Sequence, residues 1–419
     1  MKLIEEARSG AQARRKFSAQ EVRSAARRFS NKTSTGSDGW SLKEIALTPD
    51  PVLVSLAGIV SDMRDTTVPP LQTMLNIMAS IPKKDGGSRT VAIATTLYRL
   101  LMEMDNEEVA EFEAKNAYQN DSAAAGASAV AAAEDRAVEA ELARLSGLVT
   151  ISTLWDLRKF FDSIDIEVLI QLARDLGFPL KQLAVSLIVH QAPRRLKLGK
   201  ALGDCISNLG RSILAGCKRS THFARVYLLK MVRQLAEAHP DTSLYLHVDD
   251  ISNLTKGGSQ KELSDKAFKW ASDFKDWTIA LKLDISEKSV VVPVCKAAEV
   301  FTKRAVAANI PMQMKKEGVD IGVDTSSATA RTVTKQLARI EACSSKAKRA
   351  SFLSKRNKKA RKLAITAVKP AQLYGHTAVG MSPSCINKCK ANITEATGMA
   401  GANACSTSIL AWAFRKKQC

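Results

Sequence analysis

The sequence predicts an α+β fold, and three observations carry that expectation. The run LVTISTLW (148–155), rich in β-branched residues, ends at Asp156, and SLYLHV (243–248) ends at the pair Asp249-Asp250. Apolar residues resume at once in ISNL (251–254), so strand, two acids and strand read as a β-hairpin with the acids at its tip. Helical periodicity fills most of the intervals between these runs, and helices crossing an antiparallel sheet make an α+β domain.

In chain order, the first thirty residues are basic and helical in pattern, and the polar, glycine-containing stretch 30–39 ends them as a loop. In IPKKDGGSR (81–89) the tripeptide Asp85-Gly86-Gly87 predicts a tight hairpin tip flanked by Lys83, Lys84 and Arg89. From 97 to 145 the pattern is mostly helical. Its alanine-rich section (123–133) continues into AAAEDRAVEAELARL, whose apolar spacing predicts a packed helix rather than a disordered tract. An amphipathic helix is expected over about 260–280, followed by a strand-like run at 289–294. The tail from 331 onward is helical and basic, with Lys346, Lys348, Arg349, Lys355, Arg356, Lys358, Lys359, Arg361 and Lys362 crowded together.

The chain has 419 residues, 45% of them hydrophobic, enough for a sizeable core and two or three domains. Its 62 Lys and Arg against 42 Asp and Glu give a net charge of +20, which favours a polyanionic partner. The longest apolar runs, such as 51–60 and 183–189, fall well short of the ~20 residues that span a bilayer, so no membrane partner is expected. The charged N-terminus lacks the apolar core of a secretory signal, which predicts an intracellular protein, nuclear or cytoplasmic. Eight cysteines show no C-x-x-C pair; Cys385 and Cys389 with His376 and Cys405 are the one zinc combination the spacing suggests, against free thiols.

Two acids at a hairpin tip facing a third at a neighbouring strand end make a cage for hard divalent cations. Unit charges ~4 Å apart repel by about 4 kcal/mol at an effective dielectric of ~20, so such a cluster favours a bound cation. Nucleotidyl transfer needs an activated 3′-oxygen, neutralised triphosphate charge and in-line geometry, and two carboxylate-held ions supply all three.

Beyond these residues, the order of the motifs from about 31 to 375 resembles the reverse transcriptases of non-LTR retrotransposons and group II introns. KTSTGSDGW resembles the family's opening segment, and IPKKDGGSRTVAIATTLYRLL its fingers segment, in which a Lys and an Arg meet the incoming triphosphate. That resemblance gives the role to Lys83 or Lys84 and to Arg89. WDLRKFFDSIDIEVL is similar to the first palm motif, with Asp156 as leading acid and Asp162 structural. GRSILAGCKRS is similar to the second, through Gly216 and Ser220, and LYLHVDDISNL to the third. LKLDISEKSVVV is similar to the next, which sets Lys288 near the pyrophosphate.

The resemblance implies a right-hand polymerase with fingers, an antiparallel-sheet palm and a helical thumb. The expected division is a basic helical extension (1–30), fingers (31–148), palm (149–325, with a fingers-like insertion about 171–205), and a basic helical thumb and tail (326–419). It implies RNA-directed DNA polymerisation on an RNA template with a DNA primer and dNTPs. Two Mg²⁺ ions, for which Mn²⁺ can substitute, would sit on Asp156, Asp249 and Asp250, and the basic stretch about 331–362 would lie on nucleic-acid backbone. Phe161, five residues after Asp156, stands where the family has an aromatic under the deoxyribose, and so favours dNTP over NTP. The bland alternative for Phe161 is a core phenylalanine beside Phe160.

The chain departs from the family at two positions. Ala215 replaces the usual Gln before Gly216, and His247 replaces the usual aromatic two residues before Asp249. They motivate a second expectation, a catalytically impaired retroelement-derived protein that binds RNA or RNA–DNA duplex. An RNA-dependent RNA polymerase is a third, with Phe161 against it.

Overall fold

The computed structural model describes residues 2–9, 14–83, 86–207, 209–292, 295–326, 333–401 and 405–414. Its strands, in chain order, are β1 (Asn76–Pro82), β2 (Ser88–Ile93), β3 (Val149–Trp155), β4 (Arg194–Leu198), β5 (Ala201–Ile206), β6 (Thr242–His247), β7 (Asp250–Gly257), β8 (Val290–Val292), β9 (Gln313–Met314), β10 (Glu317–Asp320) and β11 (Val323–Ser326). The expected α+β fold is present, with antiparallel-rich sheets and abundant helix, and the chain folds into two compact units.

The first unit comprises 1–119, 157–238 and 274–285. Its sheet runs β2-β1-β4-β5, with β1 antiparallel to β2 and parallel to β4. The hairpin read at 81–89 is there, Ile81 facing Arg89, although Lys84 and Asp85 themselves lie outside the described residues. Helix Ala19–Arg28 begins with a reciprocal cap, Ser18 and Glu21 each satisfying the other's backbone N–H. It buries Val22 and Ala25 against Ile45, Leu53, Leu97 and Leu100. Helix Lys218–Ala238 buries Phe223 and Tyr227, and the Tyr227 hydroxyl donates to the Leu281 carbonyl at 2.6 Å.

The second unit comprises 120–156, 239–273 and 286–419. Its five-stranded sheet runs β6-β7-β3-β8-β9 and is antiparallel except between β8 and β9. Because side chains alternate along a strand, Trp155 and Asn253 share one face, where the Trp155 Nε1–H donates to Asn253 at 2.7 Å. There Trp270, from helix Gln260–Ala280, stacks 5.5 Å from Trp155. The opposite face is covered by helix Ala129–Leu145. Its buried Arg136 pairs with Asp320 and donates to Ser252 at 3.1 Å, while Glu139 accepts from Ser243, Tyr245 and Lys256. Helices Thr334–Arg356 and Pro383–Ala396 pack through Cys343, Ala347, Ile393 and Ala396.

The structure refines three sequence expectations. The helical pattern over 97–145 breaks between Lys115 and Ala129, because Asn120 and Ser122 pair with the edge of β6: Leu246 N–H donates to Asn120, and Ser122 N–H to the Leu246 carbonyl. Backbone groups spent on a sheet edge are lost to a helix. The expected helical segments lie between Asp156 and Asp249, and β4 and β5 add an antiparallel ribbon among them. The strand read at 289–294 begins at Val290 and is described as far as Val292, Pro293 and Val294 lying outside the described residues.

Candidate active site

β6 and β7 are joined by a two-residue turn, Val248-Asp249, closed by the His247–Asp250 pair. Val248 has φ of 60° and Asp249 does not share that sign, the pattern of a turn that normally takes glycine at its first central position. A β-branched residue in the left-handed region is strained, and strain persists where surrounding structure over-determines it. Here β7 continues into the middle of the sheet and fixes the register. Nothing in the sequence pattern flags this strain.

On the other side of β7, β3 is paired as far as Trp155 with Ile251. Extending that register by one residue sets Asp156 opposite Asp250. The strand ends that carry Asp156 and the Asp249-Asp250 pair therefore adjoin. Burial, then the Asp250 charge, then that of Asp156 push the Asp249 carboxyl up to about 6. Burial and Asp156 raise Asp250, while His247 works against them. Among the described residues no three His, Cys, Asp or Glu side chains are close enough to hold one metal ion between them. What fits a cation is the chemistry of the set: three oxygen-donor acids, mutually repelling, with the pKa of two of them raised.

His247 is half-buried, and its Nδ1 lies 3.0 Å from the Ser122 hydroxyl, so the strap at 120–122 ties down the tip of β6. Sequence reasoning flagged His247 and missed Ser122, whose partner is 125 residues away in the chain. Lys288 is exposed, one residue before the buried Ser289.

The remaining predicted residues belong to the first unit. Lys83 and Arg89 are exposed at the ends of β1 and β2; Lys84 lies outside the described residues. Gly216 adopts φ of +98°, and a Cβ there would meet Val91 Cγ1 at 2.6 Å, so only glycine fits. The preceding Ala215 carbonyl accepts from Ala92 N–H at 2.7 Å, which seats this loop on the end of β2. Ser220 is buried and donates to the Leu214 carbonyl at 2.6 Å. Phe161 is only half-buried; its ring meets the edge of the fully buried Phe160 at 5.5 Å, so Phe160 is the core residue of the two.

Among the described residues the zinc combination does not come together. Cys385 and Cys389 are buried with Ile340, and burial together with neighbouring thiols pushes Cys389 up to about 11. His376 Nδ1 bonds instead to the Leu373 carbonyl at 2.7 Å.

No described helix is long and apolar enough to cross a membrane. Compared with known proteins, residues 81–299 match the profile of the family described as reverse transcriptase (RNA-dependent DNA polymerase). No curated protein matches the chain. Among solved structures, it is similar to apo telomerase from Candida Tropicalis truncated from its C-terminal domain, at 14% identity and a TM-score of 0.42. That likeness covers 63% of this chain and 56% of the other.

Proposed function

The chain belongs to the reverse transcriptase family of RNA-directed DNA polymerases, and on that premise we propose that it extends a DNA primer on an RNA template inside a cell, as the polymerase of a retroelement of the non-LTR or group II type. The observation that carries this reading is the pairing of β3 with β7, which brings the strand end before Asp156 beside the turn that bears Asp249 and Asp250, inside the family-matched span.

Asp156 and Asp249 would hold two Mg²⁺ ions, with Asp250 completing the acidic set. Bound there, the ions would supply an activated primer 3′-oxygen and neutralise charge on the triphosphate. Lys83 or Lys84 and Arg89, on the fingers hairpin, bind the β- and γ-phosphates. Lys288 donates a proton to the departing pyrophosphate. Phe161 lies under the sugar and crowds a 2′-hydroxyl, its half-buried ring backed by Phe160. In this assignment the sheet β6-β7-β3-β8-β9 serves as palm, the sheet of β1 and β2 as fingers, and the helices after 333 as thumb. Exposed Lys346, Lys348, Arg349, Lys355, Lys358, Lys359 and Lys362 follow the phosphate backbone of the duplex.

Primer extension on poly(rA)/oligo(dT) with Mg²⁺ or Mn²⁺ tests the proposal. Wild type incorporates dTTP in preference to UTP, and Asp249→Asn abolishes incorporation while keeping the fold. Extension by that variant would refute the role of the carboxylates, and preference for UTP the role of Phe161. Ala215 and His247 favour a second reading, in which the chain binds RNA–DNA duplex without extending it; binding by a wild type that incorporates nothing is its signature.

A further inference from the structure

Asp156 lies one residue beyond the last backbone-paired position of β3, and a separate piece of chain holds it there. The ladder between β3 and β8 ends at Leu154 and Val290. Past that point the Ser289 hydroxyl takes over, accepting from the Asp156 N–H at 3.2 Å. On the other side of the same residue, the Asp156 carbonyl accepts from the Ser286 N–H at 2.8 Å. The intervening turn is closed on itself: Ser289 N–H donates to the Ser286 carbonyl at 3.0 Å, and Lys288 N–H to the Ser286 hydroxyl at 3.2 Å. Gln313 backs it from β9, its N–H donating to the Ser289 carbonyl at 2.9 Å and its side-chain amide to the Glu287 carbonyl at 3.2 Å. Both serines are buried, Ser289 completely, whereas Lys288 is exposed.

We propose that Ser289 is a positioning residue: its hydroxyl fixes the Asp156 backbone, so that the Ser286–Ser289 turn sets the Asp156 carboxylate and the Lys288 ammonium in one rigid frame. This rests on the carboxylate role proposed above. Asp156 gives its backbone N–H and carbonyl to the turn and Lys288 gives its N–H, which leaves both side chains for the substrate. An N–H in the half-buried Asp156 that loses the Ser289 hydroxyl must find another acceptor, so Asp156 shifts when the hydroxyl is removed. Residues that orient metal-holding side chains change metal affinity by about 10- to 100-fold when altered, without touching the ion.

The test compares Ser289→Thr with Ser289→Val, two side chains of one shape that differ only by the hydroxyl, alongside Ser289→Ala. Mn²⁺ binding to the protein without nucleic acid, followed by the electron paramagnetic resonance of free Mn²⁺, is the readout independent of activity. The Val and Ala variants bind Mn²⁺ roughly tenfold more weakly than wild type, and Thr stays within about threefold. In single-nucleotide extension, Val lowers kcat by a similar factor with the KM for dTTP unchanged, and combining it with Lys288→Gln costs less than the product of the two single losses. Val or Ala variants with wild-type Mn²⁺ affinity and kcat would overturn the proposal. So would a Thr variant that melts like wild type yet fails as Val does. A wild type that neither binds Mn²⁺ nor extends a primer removes the functional reading itself, and this proposal with it.

Discussion

Asp249 shows how a single residue can be set against its own fold. Its carboxyl titrates near 6 in the folded chain against an ordinary value near 3.8, so folding favours the protonated form. That stability is fully present below about pH 4 and is lost as pH rises through about 6, leaving the ion-free protein weaker at neutral pH. Asp249→Asn is therefore expected to raise the melting temperature at pH 7.5 without divalent ions, and to leave it unchanged at pH 4. A melt that falls at pH 7.5 would contradict the argument. Val248 carries a related cost in its backbone. Replacing it with glycine relieves a left-handed β-branched residue and is expected to stabilise the protein by about 1 kcal/mol in urea titration. A loss of stability would mean that the Val248 side chain contributes more packing than its backbone costs.

At the scale of elements, the loop carrying Gly216 depends on its approach to β2. Gly216→Ala brings a Cβ against Val91 at a left-handed φ and is expected to destabilise the first unit by roughly 2 kcal/mol. Val91→Ala should restore part of that loss, because the nearest clash is with a side chain; a urea titration of single and double variants measures it. Helix Leu180–His190 carries a second titrating element. His190 is fully buried against Tyr98, and burial, then Arg194 and Arg219, lower its pKa to about 3. A base depressed in this way stabilises the fold above its ordinary value of 6.5, and that stability drains as pH falls from 6.5 towards 3. His190→Gln is expected to flatten the decline in this window, measured by urea unfolding at pH 7, 5.5 and 4.

At the scale of the whole molecule, the net charge of +20 favours a polyanionic partner, and the proposed duplex contact runs through exposed basic clusters. Lys358, Lys359 and Lys362 are exposed in one of them. Changing all three to Ala is expected to weaken duplex binding at every sequence and to lower the slope of log K against log salt by up to about 2.7. An unchanged slope would take this cluster off the nucleic-acid path. Nearby, the Arg356 guanidinium rests 3.6 Å over the exposed Phe352 ring, an arrangement that composition alone does not reveal.

By itself the sequence determined the α+β class, the two runs that end in acids, the hairpin at 81–89 and the family, because strand alternation, turn residues and motif order are local and survive in one dimension. Only the tertiary structure decided how these pieces meet. The Ser122–His247 tether, the Arg136–Asp320 pair and the two bonds to Asp156 join residues more than 120 positions apart, and no local pattern encodes such pairings. The helix expected over AAAEDRAVEAELARL forms as Ala129–Leu145, while Asn120 and Ser122 just before the alanine-rich section pair instead with the backbone of β6. Cys385 and Cys389 have metal-like spacing but face an apolar core, where burial keeps the thiol protonated. Spacing sets which groups can meet; packing sets which of them remain charged when they do.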